Sequence, residues 1–256
     1  MGATANSTAH MDGLIFAAGL GTRLAPLTNT QPKALVNING RPMLEHAIEN
    51  FVRSGARRIA VNVHHFATMV ERYIRDNAAR WPDVEFYISD ESRLLLDTGG
   101  GLVKAAELLD GDEPIVVGNA DVYSNVPLDQ LLDFHLRSGR AATLLTRTRN
   151  STRQLLFDAD GRLSGWVNKT TGETRLPRPV DNLSEAAFCG FHVVERQLIR
   201  AMGEVRPFPI IGAYLDCAAQ YNIGRMNLDK LYYWFDVGTV EKLAAAEQFA
   251  RQQNDR

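Results

Sequence analysis

The sequence has few cysteines, no long hydrophobic run and no excess of charge of one sign. Only two cysteines occur among its 256 residues, and their spacing suits neither a disulfide framework nor a zinc site. No apolar run approaches the roughly 20 residues that cross a bilayer. A formal net charge of −2 offers no basic field to nucleic acid or to an anionic membrane. These absences predict a cytoplasmic protein that binds neither nucleic acid nor a membrane.

A glycine-containing loop near the start of the chain is the most informative feature. The apolar run 14–18 is suited to a buried strand and leads directly to Gly19 and Gly21. Glycine exposes backbone N–H groups because no Cβ blocks the approach of a ligand. Arg23 and Lys33 follow and add positive charge, which suits a polyphosphate better than a neutral ligand. The stretch therefore predicts a nucleoside triphosphate site.

Two well-known glycine loops do not match this stretch. A Walker loop needs four residues between its glycines and then Gly-Lys-Ser/Thr, which is absent. A dinucleotide-binding loop needs Gly or Ala three residues after its second glycine, where this chain has Leu24. A dehydrogenase is therefore not expected.

The order Gly-x-Gly-Thr-Arg over residues 19–23, followed by Pro32-Lys33, resembles the signature of the sugar-1-phosphate nucleotidyltransferases. The resemblance extends from about residue 11 to about residue 249. It implies transfer of a nucleotidyl group from a nucleoside triphosphate to a sugar 1-phosphate, with Mg²⁺ as cofactor. The expected nucleotide contacts in this loop are Ala17, Ala18, Gly19, Gly21, Thr22, Arg23 and Lys33.

The order of apolar runs predicts an α/β fold with one Rossmann-like domain. Up to residue 150, short apolar runs alternate with helical patterns, which indicates a mixed, mostly parallel central sheet flanked by helices. A nucleotide half is expected over about 11–150 and a sugar half over about 151–252. The sugar half contains a smaller β-hairpin and helical subregion, with a mobile loop over 169–185. Residues 1–10 are polar and small and are expected to form a flexible leader.

Two aspartates are candidate metal ligands. Asp121 follows an apolar strand, and Asp236 ends another, in Trp-Phe-Asp-Val-Gly-Thr. Mg²⁺ prefers one or two carboxylates together with substrate oxygens and water. Either aspartate alone could equally cap a helix or form a turn. The resemblance implies that both hold the metal and that Arg23 and Lys33 complete the catalytic set. Ala120 replaces the glycine that the family usually has before the first aspartate.

A second glycine loop, Thr98-Gly99-Gly100-Gly101, begins a predicted helix. Thr98, Gly99 and Gly100 are expected to contact the base or ribose, although a loosely built turn would explain the glycines as well. This form of the loop is most similar to that of enzymes that join UTP to N-acetylmuramate 1-phosphate. UTP is therefore the favoured donor.

The predicted sugar half contains three candidate residues for binding the sugar phosphate, Asn168, Lys169 and Gly190. Asn168-Lys169 stands where many family members have Glu-Lys-Pro, and the resemblance implies that Lys169 meets the sugar 1-phosphate. Phe188-Cys189-Gly190-Phe191 resembles the family's strand whose glycine lets the sugar ring approach, although a plain core strand also explains that segment. Arg147, Arg149 and Arg153 form a basic cluster. We interpret this cluster mainly as solvated surface, with contact to a phosphate or a partner subunit as the alternative.

Other functions stay open at this point. A mannose-1-phosphate guanylyltransferase and a phosphocholine cytidylyltransferase have the same fold. A protein of another class would be a catalytically silent regulatory subunit that only binds nucleotide or nucleotide-sugar. The chain is expected to be a monomer or a small homo-oligomer.

Overall fold

The computed structural model describes residues 11–228 and 231–254. The expected leader, 1–10, lies outside the described residues. The strands are β1 Met11–Phe16, β2 Asn37–Ile38, β3 Arg41–Pro42, β4 Ala56–Val63, β5 Glu85–Asp90, β6 Ile115–Asn119, β7 Val122–Ser124, β8 Ala142–Arg147, β9 Arg153–Phe157, β10 Leu163–Asn168, β11 Thr174–Arg175, β12 Ser184–Val194, β13 Ile223–Asn227 and β14 Trp234–Asp236. The α-helices are α1 Met43–Arg53, α2 Ala67–Asn77, α3 Asp97–Ala106, α4 Leu128–Ser138, α5 Arg196–Ala201, α6 Ile210–Cys217 and α7 Val240–Asn254.

The central sheet is mixed and mostly parallel, as predicted. Strands β5, β4, β1 and β6 lie side by side and run parallel. The long strand β12 follows and is antiparallel to both β6 and β8, and β13 then pairs with β8 in parallel. An antiparallel extension of β9, β10 and β11 joins the first residues of β12. The α/β fold and the predicted hairpin are therefore confirmed.

Helices cover both faces of the sheet, and alternate residues of β1 belong to different cores. Ile15 packs in the core that also contains Phe51 of α1, whereas Leu14 packs in the core with Leu102 of α3. The fit is close under α1, because a Cβ at Gly13 would lie 2.6 Å from the Phe51 ring. No helix among the described residues is long and apolar enough to cross a membrane.

Two local predictions differ from the structure, and strand β13 was missed. The first strand ends at Phe16 rather than at residue 18, because the backbone N–H groups of Ala17 and Ala18 bond to a side chain instead of a neighbouring strand. The predicted loop 169–185 contains β11, whose residues pair with Trp166 and Val167 of β10. Strand β13 was not predicted because its sequence, Ile-Gly-Arg-Met-Asn, lacks a clear apolar pattern.

Candidate active site

A cleft of about 700 Å³ opens at the carboxyl ends of β1 and β6. From β1 the chain crosses to β4 on one side, and β6 lies on the other, so the connections on the two sides diverge at this point. Such a switch point is where open α/β sheets bind their ligands. The lining includes Phe16, Ala17, Ala18, Gly19, Leu20, Gly21, Thr22, Arg23, Lys33, Asn62, Glu91, Asp97, Thr98, Asn119, Ala120, Asp121, Pro207 and Gly238.

The first glycine loop folds tightly over Lys33. Gly21 has φ 66°, and a Cβ there would lie 2.9 Å from both Lys33 Cβ and Thr28 Cγ2. Thr28 Oγ1 also donates a hydrogen bond to the Gly21 carbonyl at 2.9 Å. Gly19 has open space where a side chain would stand. The loop therefore requires glycine at 21 for its own fold, whereas glycine at 19 leaves room for a ligand.

A buried polar bridge fixes the start of this loop. Asn62 Oδ1 accepts hydrogen bonds from the N–H groups of Ala17 at 2.7 Å and Ala18 at 3.3 Å. Asn62 Nδ2 donates to Glu91 Oε1 at 2.8 Å, and Glu91 Oε2 accepts from the Leu96 N–H at 2.9 Å. Burial raises the pKa of Glu91, against the opposing effect of these hydrogen bonds. The side chains of Asn62 and Glu91 thus connect the start of the first glycine loop to the segment just before the second.

The four proposed catalytic residues meet at the cleft or at its rim. Lys33 forms an ion pair with Asp121. The Asp121 carbonyl accepts a hydrogen bond at 2.9 Å from the N–H of Val237, the residue after Asp236. This bond continues the pairing of β14 with β7 and holds the two aspartate segments together.

Arg23 and Asp236 both approach Gly238. A Cβ placed on Gly238 would lie 3.1 Å from Arg23 Nη2 and 3.3 Å from Asp236 Oδ1. Asp236 Oδ2 accepts from Lys242 Nζ at 2.7 Å. A side chain at 238 would therefore crowd the guanidinium and the carboxylate, which explains the glycine after Asp236-Val237.

The chemistry of these carboxylates fits a divalent cation shared with a substrate. Asp121 and Asp236 are about one-quarter and one-third exposed, so both remain open to a ligand. Within residues 11–228 and 231–254 no group of three or more His, Cys, Asp or Glu side chains could hold a metal. Two carboxylates leave coordination positions for phosphate oxygens and water.

The structure places Thr98 of the second glycine loop in the cleft lining and Gly99 and Gly100 outside it. Thr98 lines the cleft, but Gly99 and Gly100 are buried beneath the segment 206–208. A Cβ at Gly99 would lie 2.3 Å from the Phe208 ring, and one at Gly100 would lie 2.0 Å from the Arg206 carbonyl oxygen. The glycines thus permit close packing of that segment, and Thr98 with Asp97 forms the cleft surface.

A second cavity of about 550 Å³ shares Asp97 and Thr98 with the first. Arg149, Arg153 and Gln154 line it together with apolar side chains of β10, β12 and α6. Two arginines of the basic cluster therefore face a cavity rather than only solvent.

The other sugar-side candidates lie outside the lining of both cavities. Lys169 is exposed and forms an ion pair with Glu185. Asn168 Oδ1 accepts from the Thr170 N–H at 3.0 Å in a turn. Gly190 has φ 80° in an irregular part of β12, where a Cβ would lie 3.0 Å from Asn119 Nδ2. Its glycine thus serves the backbone conformation and the approach of Asn119.

Sequence reasoning missed Asn62, Glu91 and Asn119 in the cleft. Asn62 could have been noticed in the sequence, because it is a polar residue inside the apolar run of β4. The structure shows that it is buried. A buried amide needs hydrogen-bond partners, which points to a structural network.

A cysteine nucleophile is disfavoured, since burial raises the pKa of the Cys189 thiol to about 12.

Comparison with known proteins finds similar sequences and structures that cover most of this chain. N-acetylmuramate alpha-1-phosphate uridylyltransferase of Caulobacter vibrioides is 30% identical over 253 residues, which cover 94% of this chain and 97% of that protein. The catalytic subunit beta of mannose-1-phosphate guanylyltransferase from Danio rerio is 31% identical over 89% of this chain, which spans 61% of that longer protein. A UDP-glucose pyrophosphorylase with bound UDP-glucose shares the fold, with a TM-score of 0.74 at 19% identity, covering 95% of this chain and 99% of that one. The sequence model of the nucleotidyl transferase family matches residues 12–253, nearly the whole described structure, and the chain belongs to this family.

Proposed function

We propose that this protein transfers a nucleoside monophosphate from a nucleoside triphosphate, with UTP favoured, to a sugar 1-phosphate and releases pyrophosphate. One observation carries the proposal. The glycine loop, Arg23 and Lys33 share one cleft with Asp121 and its neighbour strand bearing Asp236. Cations for a triphosphate and carboxylates for a divalent cation therefore stand at the same switch point of the sheet.

The reaction needs alignment more than proton transfer. A sugar 1-phosphate is already ionised at neutral pH, so its oxygen can attack the α-phosphorus without a general base. A new oxygen–phosphorus bond forms as the bond from the α-phosphorus to the bridging oxygen breaks, and pyrophosphate leaves with the electron pair. The protein must hold two anions in line and stabilise the charge on the leaving group.

The residues of the cleft divide these tasks. Arg23 is exposed at the rim near Asp236 and would neutralise charge on the departing pyrophosphate. Lys33, fixed beneath Gly21, would exchange its partner Asp121 for the α-phosphate. Asp121 and Asp236 would hold Mg²⁺, which would supply positive charge to offset that of the phosphates.

Their place in the cleft lining supports the proposal that Ala17, Ala18, Gly19, Gly21, Thr22 and Thr98 contact the nucleotide. Gly99 and Gly100 would act indirectly, by letting the segment 206–208 close over the loop. Asn168, Lys169 and Gly190 stay predictions as sugar-phosphate contacts. For Lys169 this role would require its ion pair with Glu185 to open.

UTP is favoured by the second glycine loop and by the similarity to the Caulobacter uridylyltransferase, which covers nearly all of both proteins. GTP is the second candidate because of the similarity to the guanylyltransferases. A silent regulatory subunit is disfavoured, since the cations and carboxylates occur together around one cleft. Because the reaction consumes cellular nucleoside triphosphates, a cytoplasmic location stays our prediction, as does a monomer or small homo-oligomer.

A pyrophosphate-release screen tests the proposal. The four common nucleoside triphosphates are each combined with N-acetylmuramate, mannose and glucose 1-phosphates and with phosphocholine, in Mg²⁺. We expect turnover with UTP and a sugar 1-phosphate, lost in EDTA and restored by Mg²⁺. Nucleotide binding without pyrophosphate from any acceptor would favour the silent regulatory subunit instead.

A further inference from the structure

Each of the two proposed metal ligands has a lysine bonded to one of its carboxylate oxygens. Lys33 pairs with Asp121 through Oδ2, and Lys242 Nζ donates to Asp236 Oδ2 at 2.7 Å. The other oxygen of each aspartate, Oδ1, has no hydrogen-bond partner within residues 11–228 and 231–254. The carboxylates that would hold a cation therefore already have positively charged partners supplied by the chain itself.

The two lysines differ in their surroundings. The Lys33 side chain is 12% exposed, whereas that of Lys242 is 49% exposed. An ion pair as exposed as that of Lys242 adds little to stability, because water screens it. Lys242 also lies in the first turn of α7, where the positive end of the helix dipole disfavours a cation. Stability of the fold therefore does not account for a lysine at this position.

A further cation lies near Asp236 on the side of Oδ1. A Cβ on Gly238 would lie 3.1 Å from Arg23 Nη2 and 3.3 Å from Asp236 Oδ1, so these two atoms flank one position. Arg23 forms no ion pair with any residue that the structure describes. The rim thus holds two cations, Arg23 and Lys242, around one carboxylate, and this excess of positive charge suits a triphosphate.

On the basis of the proposed function, we propose that Lys242 is a positioning residue that competes with the divalent cation for Asp236. Lys242 neutralises Asp236 and holds it in place, as Lys33 does for Asp121. A triphosphate in the cleft attracts both ammonium groups, so the lysines leave their aspartates and the carboxylates become available to the cation. Nucleotide and cation therefore bind cooperatively, and each raises the affinity for the other by the same factor.

Mn²⁺ binding, followed by electron paramagnetic resonance of the free ion, tests this competition without turnover. Mn²⁺ is titrated into the full chain as wild type, Lys242→Gln and Lys242→Arg, without nucleotide. A unit charge about 4 Å away in water changes affinity by roughly fivefold, so Lys242→Gln should bind Mn²⁺ about fivefold more tightly than the wild type. Lys242→Arg keeps the charge and should stay within about twofold of the wild type. A lysine that only anchored α7 would give no such gain.

Calorimetry measures the cooperativity itself. A UTP analogue whose α–β bridge is methylene is titrated into the wild type and Lys242→Gln, once in Mg²⁺ and once in EDTA. The factor by which Mg²⁺ strengthens binding should be smaller in Lys242→Gln, by up to about fivefold. The reason is that the variant gains affinity for the cation without nucleotide more than with it.

Two variants locate the effect. Arg251→Gln is the matched control, because Arg251 is exposed on the same helix and pairs with Glu247 rather than with a residue of the cleft. It should leave Mn²⁺ affinity unchanged. Adding Asp236→Asn to Lys242→Gln should abolish the gain in Mn²⁺ affinity. A gain that persists in this double variant, or unchanged or weaker Mn²⁺ binding in Lys242→Gln, would overturn the inference.

The inference and the proposed function can fail separately. Tighter Mn²⁺ binding in Lys242→Gln, with no pyrophosphate released by the wild type from any triphosphate and acceptor, would support the competition at Asp236 and overturn the proposed function. Pyrophosphate release by the wild type, with equal Mn²⁺ affinity in the wild type and Lys242→Gln, would do the reverse.

Discussion

Replacing Asn62 should both destabilise the protein and loosen the nucleotide loop. Asn62 is buried, and its amide joins the N–H groups that begin the first glycine loop to the carboxylate of Glu91. Asn62→Ala removes an acceptor and a donor together. The strongest bonds lost are those to the Ala17 N–H at 2.7 Å and to Glu91 Oε1 at 2.8 Å.

The size of the effect follows from the two groups left without partners. Each unsatisfied buried group costs about 1–3 kcal/mol, and a carboxylate lies at the upper end. Water from the adjoining cleft can replace part of the loss, so we expect about 3 kcal/mol less free energy of unfolding. Burial already raises the pKa of Glu91, and loss of the Asn62 donor raises it further. A raised native pKa means that stability is lost as pH rises, so the penalty should be larger at pH 8 than at pH 5.

Urea unfolding at both pH values measures the penalty, and titration with UTP measures the loop. We expect roughly tenfold weaker UTP binding, because the Ala17 and Ala18 N–H groups are no longer held in position. Asn37→Ala is the control, since Asn37 is exposed on β2 and should change stability by less than about 0.5 kcal/mol. A penalty below about 1 kcal/mol for Asn62→Ala, with unchanged UTP affinity, would refute the reasoning.

Two further predictions concern the first glycine loop and the loss of stability at low pH. Gly21→Ala combines a positive φ with contacts of 2.9 Å to Lys33 and Thr28, whereas Gly40→Ala has φ 76° and open space. We expect losses of about 2–4 and about 1 kcal/mol respectively on chemical unfolding, and equal losses would disprove the steric argument. Hydrogen bonds from Arg80 lower the pKa of buried Glu45 to about 2. A lowered native pKa stabilises the fold above the unfolded value and loses that contribution as pH falls. The advantage of wild type over Glu45→Gln should therefore shrink by up to about 3 kcal/mol between pH 5 and 2, and a constant difference would contradict this.

The fold could be predicted from sequence because it depends on patterns that repeat locally. Apolar runs and helical spacing placed the central strands, and Ser54-Gly55 marked the end of α1 at Arg53. Short or polar strands such as β11 and β13 depend on partners distant in sequence. Their residues carry little signal of their own.

The candidate site could be predicted in part. The glycines at 19 and 21, the two cations and the two aspartates form a recognisable order, and the structure places them around one cleft. The roles of Gly99 and Gly100 could not be read from sequence, because they depend on the segment 206–208 packing over them. The same holds for Arg153, whose position on a cavity wall depends on β9, β10 and α6 coming together.

The most direct test of the proposed chemistry is to measure nucleotide-sugar and pyrophosphate formed from UTP labelled at the α-phosphorus. We expect equal amounts of both from the wild type, with the label in the nucleotide-sugar. Asp121→Asn and Asp236→Asn should each lower turnover by roughly a hundredfold or more, with circular dichroism unchanged. Near-normal rates in Mg²⁺ for both variants would contradict the assignment of these carboxylates and the mechanism built on them.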